Sequence, residues 1–105
     1  MLKVDIKIEN HTVFIQLDEV LDFQNSIKFK EKALEIIFDS KVDMKTMIID
    51  FDRVNYIDSS GLGKLLLLNK KMEDKNGKFI IKNVNNEYIR RMFNLIHIDS
   101  VLKIE

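Results

Sequence analysis

Cysteine and proline are both absent from this sequence of 105 residues, and glycine occurs only at positions 61, 63 and 77. Without cysteine there is no disulfide framework, no thiolate metal site and no cysteine nucleophile. With so little proline and glycine, no segment has the composition of a flexible linker. No repeat or low-complexity tract interrupts the chain. Charge of one sign is also missing: 17 basic residues balance 17 acidic ones. General nucleic-acid binders and binders of anionic membranes need a positive footprint, so neither is expected. The longest apolar run is Leu65-Leu66-Leu67-Leu68, far short of the roughly 20 residues that span a bilayer. The start, Met1-Leu2-Lys3-Val4-Asp5-Ile6-Lys7, carries charges where a secretory signal needs a continuous apolar stretch. A cytoplasmic location with no membrane insertion is expected. Asn10-His11-Thr12 matches a glycosylation sequon, which has no meaning in that compartment.

What is present is a core. Apolar residues make up 46% and charged residues 32%, the mix of a soluble globular protein. The length suits one domain over residues 1–105.

The chain alternates between two periods. Leu2, Val4, Ile6 and Ile8 alternate with Lys3, Asp5, Lys7 and Glu9, the period of a half-buried strand. Asn10-His11 breaks it, and Val13, Ile15 and Leu17 resume it, which predicts a hairpin. From about Phe23 to Phe38 the spacing is helical, with Phe29, Ala33, Ile36 and Ile37 on one face and Leu34 and Phe38 beside it. Thr46–Phe51 is short and mostly apolar, like a strand buried on both faces of a parallel sheet. A second helix is predicted from Ser59 or Ser60, with Leu62, Leu65, Leu66 and Met72 inward and Gly77 supplying a left-handed end. Lys78–Lys82 reads as another buried strand. Asn85 is the expected cap of a third helix, with Glu87 in its first turn. Tyr88 or Ile89, Met92, Phe93 and Ile96 form its stripe. Val101–Ile104 reads as a closing strand. The order β-β-α-β-α-β-α-β implies an α/β fold with a mostly parallel sheet, right-handed crossovers and one antiparallel strand.

The stretch that could carry function is Tyr56-Ile57-Asp58-Ser59-Ser60-Gly61-Leu62-Gly63, between a buried strand and a helix. Asp58 and Ser59 are both good N-cap types, so a plain capped helix start accounts for them. Gly61 and Gly63 each cost up to about 1 kcal/mol against Ala inside a helix. Two of them in a first turn suggest a close approach, by the chain's own neighbouring element or by a partner or phosphate. A helix N-terminus offers unpaired N–H groups and a positive dipole end. Spacing alone leaves both accounts open.

Other chemistry finds less support. Gly61-Leu62-Gly63-Lys64 lacks the glycine five residues before Gly63 and the hydroxyl after Lys64 that a phosphate loop needs. It also lacks the third glycine of a dinucleotide fingerprint. His11 and His97, the only histidines, stand in no ligand-spaced cluster, so no metal is expected. Ser59, His97 and an aspartate have no nucleophile elbow to join them. Asp50 and Asp52 are expected at a strand end, facing solvent.

Asp58-Ser59-Ser60-Gly61-Leu62-Gly63, after an apolar strand and opening a Leu-rich helix, resembles the signature of STAS domains, the sulfate-transporter and anti-sigma factor antagonist domains. The resemblance covers essentially the whole chain, including Ile48-Ile49-Asp50, the Gly77 turn and Ile89-Arg90-Arg91-Met92-Phe93. It implies a STAS fold with a mixed, mostly parallel sheet of four to five strands and three main helices. Among such domains the chain is most similar to stand-alone bacterial anti-sigma factor antagonists.

That resemblance implies a cycle. The unphosphorylated protein binds an anti-sigma factor that is a serine kinase, and a sigma factor is released. Phosphorylation at Ser59 breaks the complex, and a phosphatase resets it. The chain would be a substrate and ligand rather than an enzyme, and would hold no cofactor. Asp58 would position the serine, Ser60 would cap or pack rather than be modified, and Asp58, Ser59, Ser60, Gly61, Leu62 and Gly63 would together lie at the partner surface. One departure stands out. The loop Leu17-Asp18-Glu19-Val20-Leu21-Asp22 lacks the glycine that usually precedes the acidic-apolar-Asp run. Asp22 is therefore either a partner-binding residue or a helix N-cap. A monomer and a weak dimer are both compatible with the sequence. The alternative role is a non-switching STAS subunit of a lipid-transport ATPase or of a larger signalling assembly.

Overall fold

The computed structural model describes residues 4–105, so the expectation for Leu2 and Lys3 lies outside the described residues. Strands β1 (Val4–Glu9) and β2 (Thr12–Leu17) form the expected antiparallel hairpin, from Val4 opposite Leu17 to Glu9 opposite Thr12. Asn10 and His11 link them with φ of 50° and 64°. Positive φ at both positions is what a type I′ turn requires, and its twist matches that of the strands.

Next come β3 (Val20–Leu21), α1 (Phe23–Ile37), β4 (Thr46–Asp50), β5 (Tyr56–Ile57) and α2 (Ser59–Asp74). The chain continues with β6 (Lys78–Lys82), α3 (Glu87–Leu95), a 3-10 turn (Ile98–Ser100) and β7 (Lys103–Ile104). The main sheet runs β1-β2-β4-β6-β7, with every pair parallel except β1 with β2. Among the described residues, β3 and β5 pair only with each other, in parallel. This is the α/β fold expected, with two short strands added.

One apolar cluster holds the domain together. Val13, Ile15 and Leu17 of β2, Met47 and Ile49 of β4, and Phe79 and Ile81 of β6 supply its sheet side. Phe29, Ala33 and Ile37 of α1, Leu65, Leu68 and Met72 of α2, and Ile89 and Phe93 of α3 close it. The Phe51 and Phe93 rings meet with centroids 6.0 Å apart at an interplanar angle of 55°. All three helices feed the same cluster. On the other face, Phe14, Ile48 and Ile80 align across the strands, outside that cluster. β4 is thus buried on both sides as expected, but all three helices serve one side.

Several expected positions shift. Leu66 is 40% exposed, and Leu68 and Asn69 take its place on the inner face of α2. Phe38 is exposed, because α1 ends one residue earlier. The left-handed residue after α2 is Asn76, at φ 61°, rather than Gly77. Gly77 is needed for room instead: a β-carbon there would lie 2.6 Å from Met72 Cε and 3.0 Å from the Lys45 carbonyl oxygen. Asn86 rather than Asn85 caps α3, accepting from the Ile89 amide at 3.1 Å. Asn85 donates to Asp52 Oδ1 at 2.7 Å. Of Tyr88 and Ile89, the buried one is Ile89, and Ile96 is exposed. The closing strand is shorter than Val101–Ile104, and Val101 is exposed.

Candidate functional site

The site is built on the β3/β5 pair. Val20 aligns with Tyr56 and Leu21 with Ile57. Each strand is followed at once by an aspartate and then a helix. Asp22 has extended backbone (φ −92°, ψ −172°), and its Oδ1 accepts from the Asn25 amide at 3.0 Å. Asp58 repeats the arrangement (φ −111°, ψ −176°), accepting from the Gly61 amide at 3.0 Å. Both are therefore true N-caps, each satisfying one orphan donor of its helix. Because the two strands lie in register, the N-termini of α1 and α2 stand side by side.

Gly61 makes this possible. A β-carbon at 61 would lie 2.5 Å from the Leu21 carbonyl oxygen and 2.8 Å from Ile57 Cγ1. The close approach that Gly61 permits is made by the chain's own β3, and Gly61 itself is buried. Its expected place on the partner surface is thus occupied from within. Gly63 is the opposite case: it is exposed, with nothing within 4 Å of a built β-carbon.

The loop before β3 does without its glycine. Asp18, Glu19 and Val20 all have ordinary negative φ, so no glycine is demanded there. The Glu19 carbonyl accepts from the Asn55 amide at 2.8 Å, and Asn25 Nδ2 donates to the Val20 carbonyl at 3.1 Å. These bonds hold the loop against β5 and α1.

Ser59 is the first residue of α2 and is exposed, whereas Ser60 is half-buried. The first amide of this helix to bond back within it is that of Leu62, to the Asp58 carbonyl at 3.0 Å. At helical spacing, Ser59, Leu62, Gly63 and Leu66 share one face. Leu62 is half-buried there and Leu66 is exposed. Phe23, just after Asp22, and Tyr56, just before Ile57, are exposed aromatics on the elements flanking the two caps. Sequence reasoning placed Leu62 here but missed Leu66, Phe23 and Tyr56. The signal for Leu66 was its place seven residues after Ser59. Phe23 and Tyr56 gave no signal, since their exposure follows from the β3/β5 pair.

Elsewhere among the described residues, no second site gathers the residues singled out. Asp50 is half-buried and accepts from Asn83 Nδ2 at 3.1 Å and the Asp52 amide at 2.8 Å. His11 stands at the surface, with Nδ1 3.0 Å from Asp43 Oδ2. His97 is exposed at φ 53°, just before the 3-10 turn.

The fold has counterparts among solved structures. The anti-sigma factor antagonist SpoIIAA in its unphosphorylated form is 24% identical, with TM-score 0.74, covering 100% of this chain and 87% of that one. The Bacillus cell fate determinant SpoIIAA in its phosphorylated form gives 24%, 0.73, 100% and 91%. An anti-sigma factor antagonist from Mycobacterium paratuberculosis matches at 16% identity and TM-score 0.84, covering 99% of this chain and 85% of that one. A sulfate transporter family protein from Wolinella succinogenes matches at 14% and 0.72, covering 93% and 79%. At these identities the likeness is one of fold. The family model of the STAS domain matches residues 3–105, nearly the whole sequence. By that match the chain belongs to the STAS domain family.

Proposed function

We propose that this chain is an anti-sigma factor antagonist switched by phosphorylation at Ser59. Unphosphorylated, it binds an anti-sigma factor kinase and so frees a sigma factor. Transfer of a phosphoryl group from ATP to Ser59 Oγ ends the complex, and a phosphatase restores it. The observation that carries this reading is the exposed Ser59, seated between the Asp58 cap and a surface row of half-buried Leu62 and exposed Gly63 and Leu66.

Physical chemistry supports both halves of the cycle. An apolar row without a β-carbon at Gly63 offers a flat patch for a partner. A phosphate at Ser59 adds about −1.5 to −2 charges at pH 7. It would lie beside the Asp58 carboxylate and against surface that the complex desolvates, which disfavours binding. The fold would tolerate it, because α2 presents its positive end there. Asp22 and Asp58 hold the two helix starts, Ser60 packs behind Ser59, and Gly61 lies beneath the surface rather than on it. The chain acts here as substrate and ligand, in the bacterial cytoplasm.

Mass spectrometry after incubation with the cognate kinase and ATP tests the switch. One added phosphoryl group, mapped to Ser59 alone, is expected. Modification at Ser60 instead, or at neither serine, sinks it. A second reading, a non-switching subunit of a transport or signalling assembly, draws on the fold shared with the Wolinella succinogenes transporter family protein. Co-purification with a membrane transporter in place of a kinase would favour it.

A further inference from the structure

We propose that two copies of this chain join edge to edge through β1, antiparallel, with the two-fold axis at Ile6. The inference is independent of the Ser59 switch. β1 is the outer strand of the main sheet, and among the described residues its only extensive neighbour is β2. It pairs with β2 without a bulge over all 6 of its residues. Edges that proteins keep free are blunted by proline, bulges or shortness. β1 has none of these, and the charges it does carry, Asp5, Lys7 and Glu9, are of both signs, so they can pair across a join as well as blunt it. The opposite edge, β7, has only 2 residues.

The exposed side chains of β1 fit a second copy. Ile6 and Ile8 lie on the helix-bearing face, opposite Ile15 and Val13, yet are 41% and 53% exposed. Residues that face one another in an antiparallel pair share a face of the sheet. With Ile6 on the axis, Ile6 meets Ile6 of the second copy and Ile8 falls opposite position 4. The apolar row of Val13 and Ile15 then continues across the join. On the other face, Asp5 meets Lys7 of the second copy and Lys7 meets Asp5, so two opposite-charge pairs form.

Other registers fail on charge, face or length. An axis at Lys7 puts Lys7 on Lys7 and Asp5 on Glu9. A slip of one residue sets Ile6 against Lys7 or Asp5. An axis at Ile8 runs half of the pairing into the Asn10-His11 turn. The present partners of these charges, Glu9 for Lys7 at 3.1 Å and Arg53 for Asp5 at 3.6 Å, are exposed pairs that cost little to exchange. The interface is isologous and closes at two copies, so it does not propagate into a fibre.

Sedimentation equilibrium up to about 1 mM tests the proposal. A concentration-dependent dimer is expected, lost in Ile6→Lys. Asp5→Lys and Lys7→Asp should each weaken it about tenfold or more. Mixing these two variants should restore it, because each then meets its opposite charge. A wild type that stays monomeric overturns the proposal. So does a dimer that survives Ile6→Lys, or a mixture that fails to recover. Hydrogen exchange on the unmodified protein gives a check free of variants: β1 amides should gain protection as concentration rises, and unchanged β1 exchange overturns the inference.

Discussion

The carbonyl oxygen of Leu21 stands 2.5 Å from where a β-carbon on residue 61 would sit. Leu21 and Gly61 thus set the spacing between β3 and α2. Gly61→Ala should destabilise the protein by about 1–3 kcal/mol through overpacking against backbone that cannot yield. Chemical denaturation would read this as a lower midpoint with an unchanged slope.

Gly63 should behave oppositely. It lies inside α2 with nothing within 4 Å, so Gly63→Ala should stabilise by about 0.5–1 kcal/mol. If the proposed partner lies flat on this face, the same substitution should weaken binding. A raised melting temperature combined with weaker kinase binding, measured by calorimetry, is the expected pair of results.

Leu66 and Leu68 separate surface from core on one helix. Leu68 is fully buried and Leu66 is not. Leu68→Ala should cost about 2–5 kcal/mol. Leu66→Ala should stay within about 0.5 kcal/mol of wild type in stability, yet lose about 1–2 kcal/mol of partner binding. Equal stability losses for the two would place Leu66 inside.

At Ser59 the expected contrast is between charge and shape. Ser59→Ala should bind the kinase as wild type does. Ser59→Asp should bind it about a hundredfold or more weakly, through like charge and desolvation at the interface. Surface plasmon resonance with immobilised kinase checks both, and equal affinity for Ser59→Asp would end the switch model.

The caps allow a finer test. Asp58→Ala and Asp22→Ala should each cost about 1 kcal/mol in thermal unfolding, whereas Asp58→Asn, which can still accept the Gly61 amide, should cost much less.

The order of the major elements was legible because each long segment keeps one period. The hairpin and the helices at 23–37 and 59–74 showed it, and the strands at 46–50 and 78–82 stood out as short apolar runs instead. β3 and β5 did not, since 2 residues carry no period. Yet they set the site, bringing Asp22 next to Asp58 and filling the space beside Gly61. Ser59 was legible as a helix start, and Asp22 as a candidate cap. Leu66 was misplaced because four consecutive leucines mask which one faces in. The left-handed residue was assigned to Gly77 on residue type, but Asn76 also tolerates that conformation, and Gly77 answers a crowding that only tertiary contacts create.

The β3/β5 register also governs how this domain can change in length. A residue inserted between Ile57 and Asp58 would have to bulge ahead of the cap, pulling Asp58 out of line with Asp22, or turn α2 by about 100° about its axis, taking Leu65 and Leu68 out of the core. The chain can lengthen at the Asn10-His11 tip or after Asn76 without touching this joint. Descendants of this sequence can therefore vary in size at those turns, while the spacing from each short strand to its aspartate stays at one residue.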